Sequence, residues 1–156
     1  MEKHIQELIS ATLAGRKQYV LLLEDYTTEQ VNFIPTGYNN NIFWNVAHVV
    51  AVQQMIVYGL AEQEYAYPKD QVLPFRKGPK PEMHFDESLV NTYKIYLTES
   101  IDKLIVDIEE NKFTQYKPWT ASTGFTVYDL GSALTFNLFH ESLHLGQMVC
   151  LKRLLS

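Results

Sequence analysis

Apolar residues recur at three- and four-residue intervals in four stretches of this chain, and no stretch alternates apolar and polar over the length of a strand. The pattern predicts an all-α protein. The first helix is expected from Glu2 to Asp25, with Ile5, Leu8, Ile9, Leu13, Val20 and Leu23 in register. The second, from Asn41 to Ala61, is apolar around most of its circumference (Phe43, Trp44, Val46, Val49, Val52, Met55, Ile56) and is therefore expected to be buried. The third, Asp86 to Glu110, gathers Leu89, Tyr93, Tyr96, Leu104 and Ile108 on one face and its charges mostly elsewhere, as a surface helix of a bundle does. The fourth is expected to start at Thr126, three residues before Asp129 in a capping arrangement, and to run to about Leu154 as the longest of the four.

Two connections are long. The stretch "EQEYAYPKDQVLPFRKGPKPEMHF" between helices two and three carries Pro68, Pro74, Pro79 and Pro81, a density that excludes helix and predicts a crossover along or over the bundle. The stretch "NKFTQYKPWTASTGFT" before the last helix is aromatic and polar, and reads equally as a surface loop or as the border of a pocket.

Composition narrows the class. A chain of 156 residues, 46% hydrophobic and 20% charged, suits one compact domain over 1–156 with its own core. The net charge of -5, with 13 Lys and Arg scattered along the chain, argues against a nucleic-acid partner. The start "MEKHIQELIS" lacks the basic tip and apolar run of a signal peptide, and runs such as "YVLLL" fall short of the roughly 20 residues that cross a bilayer, so neither export nor a membrane span is expected. Cys150 has no partner for an internal disulfide, which suits a reducing cytoplasm, and is expected as a small buried hydrophobe.

The chemistry lies in the histidines. The last helix contains "HESLH", a literal H-E-x-x-H, and on a helix His140 and His144 lie about 40° apart with Cβ atoms roughly 6 Å from one another. Phe136, Ala133 and Leu151 share their stripe, so both imidazoles face the core, where a charge on either is costly and a shared cation relieves the conflict. Two satisfied core histidines remain the competing reading. A zinc protease needs a third ligand further along, yet "LGQMVCLKRLLS" contains no Glu, Asp or His, and Gln147 and Cys150 stand where the extended motif needs Gly and His. A di-iron bundle needs a second Glu-x-x-His, and Asn45 stands where helix two would have to supply the Glu. His48, sharing a face with Trp44, Val52 and Met55, points into the same core and can close a three-histidine site. His4 and His84 read as solvent-facing residues, although His84 can reach the site if its loop folds over it.

These residues resemble a known family. "NIFWNVAHVV" is similar to the helix-two segment of DinB-like (DinB/YfiT) proteins, with their N-x-x-W-x-x-x-H pattern, and "HESLHLGQM" to their H-x-x-x-H-x-G-Q segment on the last helix. The resemblance covers nearly the whole chain. It implies a four-helix bundle of up-down-down-up topology, a divalent metal on His48, His140 and His144, and a homodimer. Many members carry an extra His before the second ligand and an Arg after it. Leu143 and Leu145 occupy those places here and leave a more apolar rim.

Three imidazoles leave a tetrahedral ion one open position, as in catalytic sites, and a zinc or nickel ion there lowers the pKa of bound water or ionises a thiol. The resemblance implies a transferase that joins a low-molecular-weight thiol to a small electrophile. The alternatives are a metal-dependent hydrolase of small esters, amides or thiol conjugates, with Glu141 as its base, and a protein in which the metal plays no catalytic part. Glu141 lies about 80° from the middle of the histidine stripe, a position equally suited to a solvated or paired carboxylate. Asn45, Asn137 and Gln147 stand closer and are the expected supports of the ligands.

Overall fold

A computed structural model describes residues 1–76 and 84–155. Among these residues the fold is all-α apart from one small hairpin. Four long helices dominate: α1 (Lys3–Glu24), α3 (Ile42–Gln53), α5 (Glu87–Glu109) and α6 (Leu130–Leu151), with α1 and α3 each packed against both α5 and α6. Short helices α2 (Thr28–Asn32) and α4 (Lys69–Val72) punctuate the connections, and β1 (Trp119–Thr120) pairs antiparallel with β2 (Thr126–Val127).

The helix starts follow from capping chemistry. Asn41 accepts the Trp44 amide at 2.7 Å to open α3, and Asp86 accepts that of Leu89 at 2.8 Å to open α5. Helix α3 is buried along its whole length, as its all-round apolar pattern requires, and continues without a break into a π-helical turn, Gln54–Gly59. Ile42–Gly59 is long and apolar enough to cross a membrane, but 83% of that window is buried inside the protein.

Two expectations about the elements need correction. Helix α6 does not begin at Thr126, whose backbone pairs with Thr120 in the hairpin; it begins after Asp129, which shares a reciprocal capping box with Ser132. From there α6 runs 22 residues and continues without a break into a three-residue 3-10 turn, Lys152–Leu154, so that the helical run ends at Leu154 as expected and exceeds the 23 residues of α5. The Pro-rich connection is not free of helix either: Pro68 caps α4 and Pro74 stands second in the 3-10 turn Leu73–Phe75, positions where a missing N–H costs nothing. Pro79 and Pro81 lie outside the described residues.

The core divides into two apolar clusters. One gathers Tyr19, Phe43, Tyr93, Leu97 and Met148, the other Ile9, Ile56, Val57, Ile101 and Phe136. At the boundary each long helix places polar side chains: Arg16 on α1, Gln53 on α3, Ser100 on α5, and Asn137 and Glu141 on α6, all buried. A polar layer therefore crosses the interior at one level, and the three histidines stand beside it.

Candidate metal centre

His48 and His140 face each other across the contact of α3 and α6, and His144 lies one turn along α6 from His140. The ring centroids of His48 lie 5.1 Å from His140 and 4.7 Å from His144, and those of His140 and His144 are 4.5 Å apart, with the planes inclined by 54–57°. One nitrogen from each ring lies within 4.8 Å of the others. The Nε2 atoms of His140 and His144 are 3.2 Å apart. Two imidazole nitrogens bound tetrahedrally at zinc distances stand about 3.3 Å apart, so the pair needs almost no adjustment to share an ion.

Two of the three tautomers are pinned by their other nitrogen. His48 donates from Nδ1 to the carbonyl of Phe75 at 2.6 Å, and His144 donates from Nδ1 to Oδ1 of Asn45 at 2.7 Å. Asn45 is itself fixed, donating to the carbonyl of Asn41 at 2.7 Å and to Asn40 at 3.3 Å. Both rings therefore present an unprotonated Nε2, the form a metal requires. Nδ1 of His140 is buried with no hydrogen-bond partner among the described residues. Burial, with the neighbouring histidines adding to it, holds His140 at about 4 and His144 at about 3, and burial lowers His48 in the same direction despite its bond to Phe75. At neutral pH the cluster is a set of three uncharged donors.

The histidines form the floor of a cavity of about 530 Å³. Trp44 stacks on His48 at 4.6 Å and 12°. The opposite wall comes from Phe136, Phe139 and Leu143 of α6 and from the hairpin, whose Trp119 meets Phe136 edge-on at 5.4 Å. The loop before the last helix is thus the border of a pocket, one of its two expected roles. Its turn depends on Gly124, at φ 86°. A second cleft of about 550 Å³ lies between the end of α1 and the start of α5, lined by His84 and without any of the three clustered histidines.

Each expected site residue can now be placed. Asn45 supports His144 directly, and Gln147 donates to Asn40 at 3.1 Å, bracing the residue that holds Asn45. Asn137 faces away from the cavity and donates to Oε1 of Glu141 at 2.7 Å. Glu141, the expected base, lines no part of the histidine pocket: its carboxylate is buried and accepts from Nε and Nη2 of Arg16, both at 2.7 Å. Of its two sequence readings the paired one describes its surroundings. Leu143 reaches the rim, while Leu145 packs against the core on another side. Cys150 is exposed, not buried, because α6 turns that side outward. His4 sits on the surface beside Glu2, and His84 is exposed at the second cleft. Sequence reasoning missed Arg16, a lone cation in an apolar stripe, whose place three residues before Tyr19 and four after Thr12 was the available signal.

A family model described as the DinB superfamily matches residues 11–148. No curated protein matches the sequence. Five solved chains do match, among them a conserved protein from Enterococcus faecalis, with a TM-score of 0.68 and 13% identity over 99% of this chain and 98% of that one. At that identity the likeness speaks for the fold alone.

Proposed function

Since the chain belongs to the DinB superfamily, we propose that it is a divalent-metal-binding protein whose ion sits on His48, His140 and His144, and that it acts as a thiol-dependent transferase on a small molecule. The observation that carries the reading is the convergence of three neutral imidazoles on the floor of a cavity. A metal would be held by the Nε2 atoms of His140 and His144, 3.2 Å apart, in place of the hydrogen bond that the unpinned His140 ring can donate to His144. An all-imidazole donor set suits zinc or nickel.

The same reading takes the chain as a single domain built as an up-down-down-up bundle. Gly131 lies against His4 and Glu141 against Arg16, which supports parallel α1 and α6; Asn45 bonds His144 while Val52 shares a cavity with Phe136, which supports α3 antiparallel to α6. Phe43 meets Tyr93 and Tyr58 bonds Asp107, which supports parallel α3 and α5 joined by the long crossover.

An ion held by His48, His140 and His144 would supply Lewis acidity that lowers the pKa of a thiol toward neutrality. The protein holds the ligand rings through Phe75 and Asn45, keeps them uncharged by burial, and excludes bulk water with Trp44 and Phe136. Thiol chemistry is favoured over hydrolysis by one observation. The carboxylate nearest in sequence to the ligands is committed to Arg16, and no acid side chain lines the cavity among the described residues, so hydrolysis with Glu141 as its base loses that base, whereas thiol transfer calls for none.

The first test is metal content by plasma mass spectrometry on untagged protein purified without chelator, beside His48→Ala. About one equivalent of a transition metal is expected in the wild type and less than about a tenth of that in the variant, given the loss of one of three ligands. A wild type that also refuses added zinc and nickel sinks the reading.

A further inference from the structure

The cavity above the histidines has an uneven chemistry. Its walls are aromatic and aliphatic, its few other polar groups are the neutral Asn40, Ser122 and Thr123, and no Asp, Glu, Lys or Arg lines it among the described residues. Charged residues make up 20% of the whole chain. The apolar material is also arranged for flat groups: Trp44 lies parallel to His48, and Trp119 and Phe136 meet at 80° to form a corner. Phe139, Leu143 and Trp119 are 49%, 56% and 37% exposed, large side chains left in solvent around the mouth.

We propose that this pocket selects an uncharged ligand with a flat apolar body, of about the size of one or two aromatic rings, with Trp119 on the hairpin as the residue that reads that body. The proposal rests on the metal reading only for what happens at the ligand's reactive end; the preference for the body follows from the walls. An anionic body entering this cavity loses its water and finds no cation side chain, whereas a ring gains contact with Trp119 and Phe136. Leu143 at the rim adds to the apolar lining.

The chain has two tryptophans, and both line the pocket, so intrinsic fluorescence reports its occupancy with or without an ion. The probes are phenylmethanethiol and its para-carboxylate, 4-(mercaptomethyl)benzoate, which share a thiol and a ring and differ in one charge. Each is titrated into zinc-loaded protein and into protein stripped with chelator. The neutral thiol is expected to bind at least about tenfold more tightly in both forms, the desolvation of one carboxylate being worth at least that. Trp119→Ala is expected to weaken phenylmethanethiol about tenfold, the equivalent of half a buried aromatic face, while leaving 2-mercaptoethanol unchanged. Equal affinities for the two ring thiols, or tighter binding of the carboxylate to stripped protein, overturns the proposal, as does a Trp119→Ala variant that binds the neutral ring as well as the wild type. If the protein takes up no zinc but stripped protein still prefers the neutral ring, the metal reading fails and this one stands.

Discussion

Arg16 is fully buried, and its guanidinium is spent on four groups: the carboxylate of Glu141, Oε1 of Gln53 at 3.2 Å, the carbonyl of Leu97 at 3.2 Å and the hydroxyl of Ser100 at 3.3 Å. One side chain thereby ties α1 to α3, α5 and α6 at the level of the histidines, and the neighbouring Tyr19 donates to the carbonyl of Glu141. A buried pair gains little over an apolar replacement but costs about 3–5 kcal/mol when one partner is removed. Glu141→Gln and Arg16→Met are each expected to lower the denaturant-unfolding free energy by about 3 kcal/mol, with the double variant Arg16→Met/Glu141→Leu recovering at least half of that. Additive losses in the double variant would refute the coupling. The pair also explains in advance why a drop in turnover for Glu141→Gln would not by itself identify a base. The stripe of α1 marks Arg16 as a cation facing the core, but its partner was not legible in the sequence, because Glu141 lies 125 positions away.

The histidines carry a pH dependence whose sign is fixed by burial. With His140 at about 4 and His144 at about 3, the folded metal-free protein binds fewer protons than the unfolded chain at every pH below the ordinary imidazole value of 6.5, down to about those values. Stability is therefore complete above pH 6.5 and falls as the pH drops through that window. In chelator-treated protein the melting temperature is expected to decline from pH 7 to 5, and His140→Gln/His144→Asn to flatten the decline. A wild-type profile that rises or stays level as the solution is acidified over that range would contradict the assignment.

Among elements, the long helices were legible to within a residue or two wherever a capping side chain stood at the start, as Asp86 does for α5. The start of α6 was misplaced because Thr126 and Asp129 are both good caps three residues apart, and the choice between them is made by a two-residue hairpin too short to leave a period in the sequence. The structure gives the choice a measurable form. Asp129 accepts the Ser132 amide at 2.7 Å, whereas the hydroxyl of Thr126 meets only that of Thr120 in solvent. Asp129→Ala is expected to cost about 1 kcal/mol of unfolding free energy and Thr126→Ala less than about 0.5 kcal/mol. The reverse order would return the cap to Thr126. The π-helical turn that ends α3 was likewise illegible, since periodicity cannot distinguish it from one more α-turn. It carries Met55 and Ile56 to the wall of the cavity and leaves Nε2 of Gln54 buried without a partner among the described residues.

At the scale of the molecule, the histidine cluster was readable because its three members repeat a simple geometric fact: residues four apart on one buried helix face a single buried histidine on another. Its surroundings were less readable, because the groups that orient the rings are a backbone carbonyl at Phe75 and an asparagine braced from Asn40 and Asn41. The whole fold also decides what the ion is worth. Two apolar clusters join the four long helices above and below the polar layer, so the protein has a core that does not depend on a cation. A metal bound on the proposed site would then add to stability only by mass action, about 4 kcal/mol when free zinc exceeds its dissociation constant a thousandfold. Chelated protein is accordingly expected to keep its helical circular dichroism at 25 °C and to melt cooperatively at a lower temperature, and added zinc to restore the higher one. His48→Ala should melt where the chelated wild type does, within the small change expected of one substitution, and should no longer respond to zinc. Loss of helical signal on chelation would mean that the ion organises the bundle rather than occupying a site the bundle has already built.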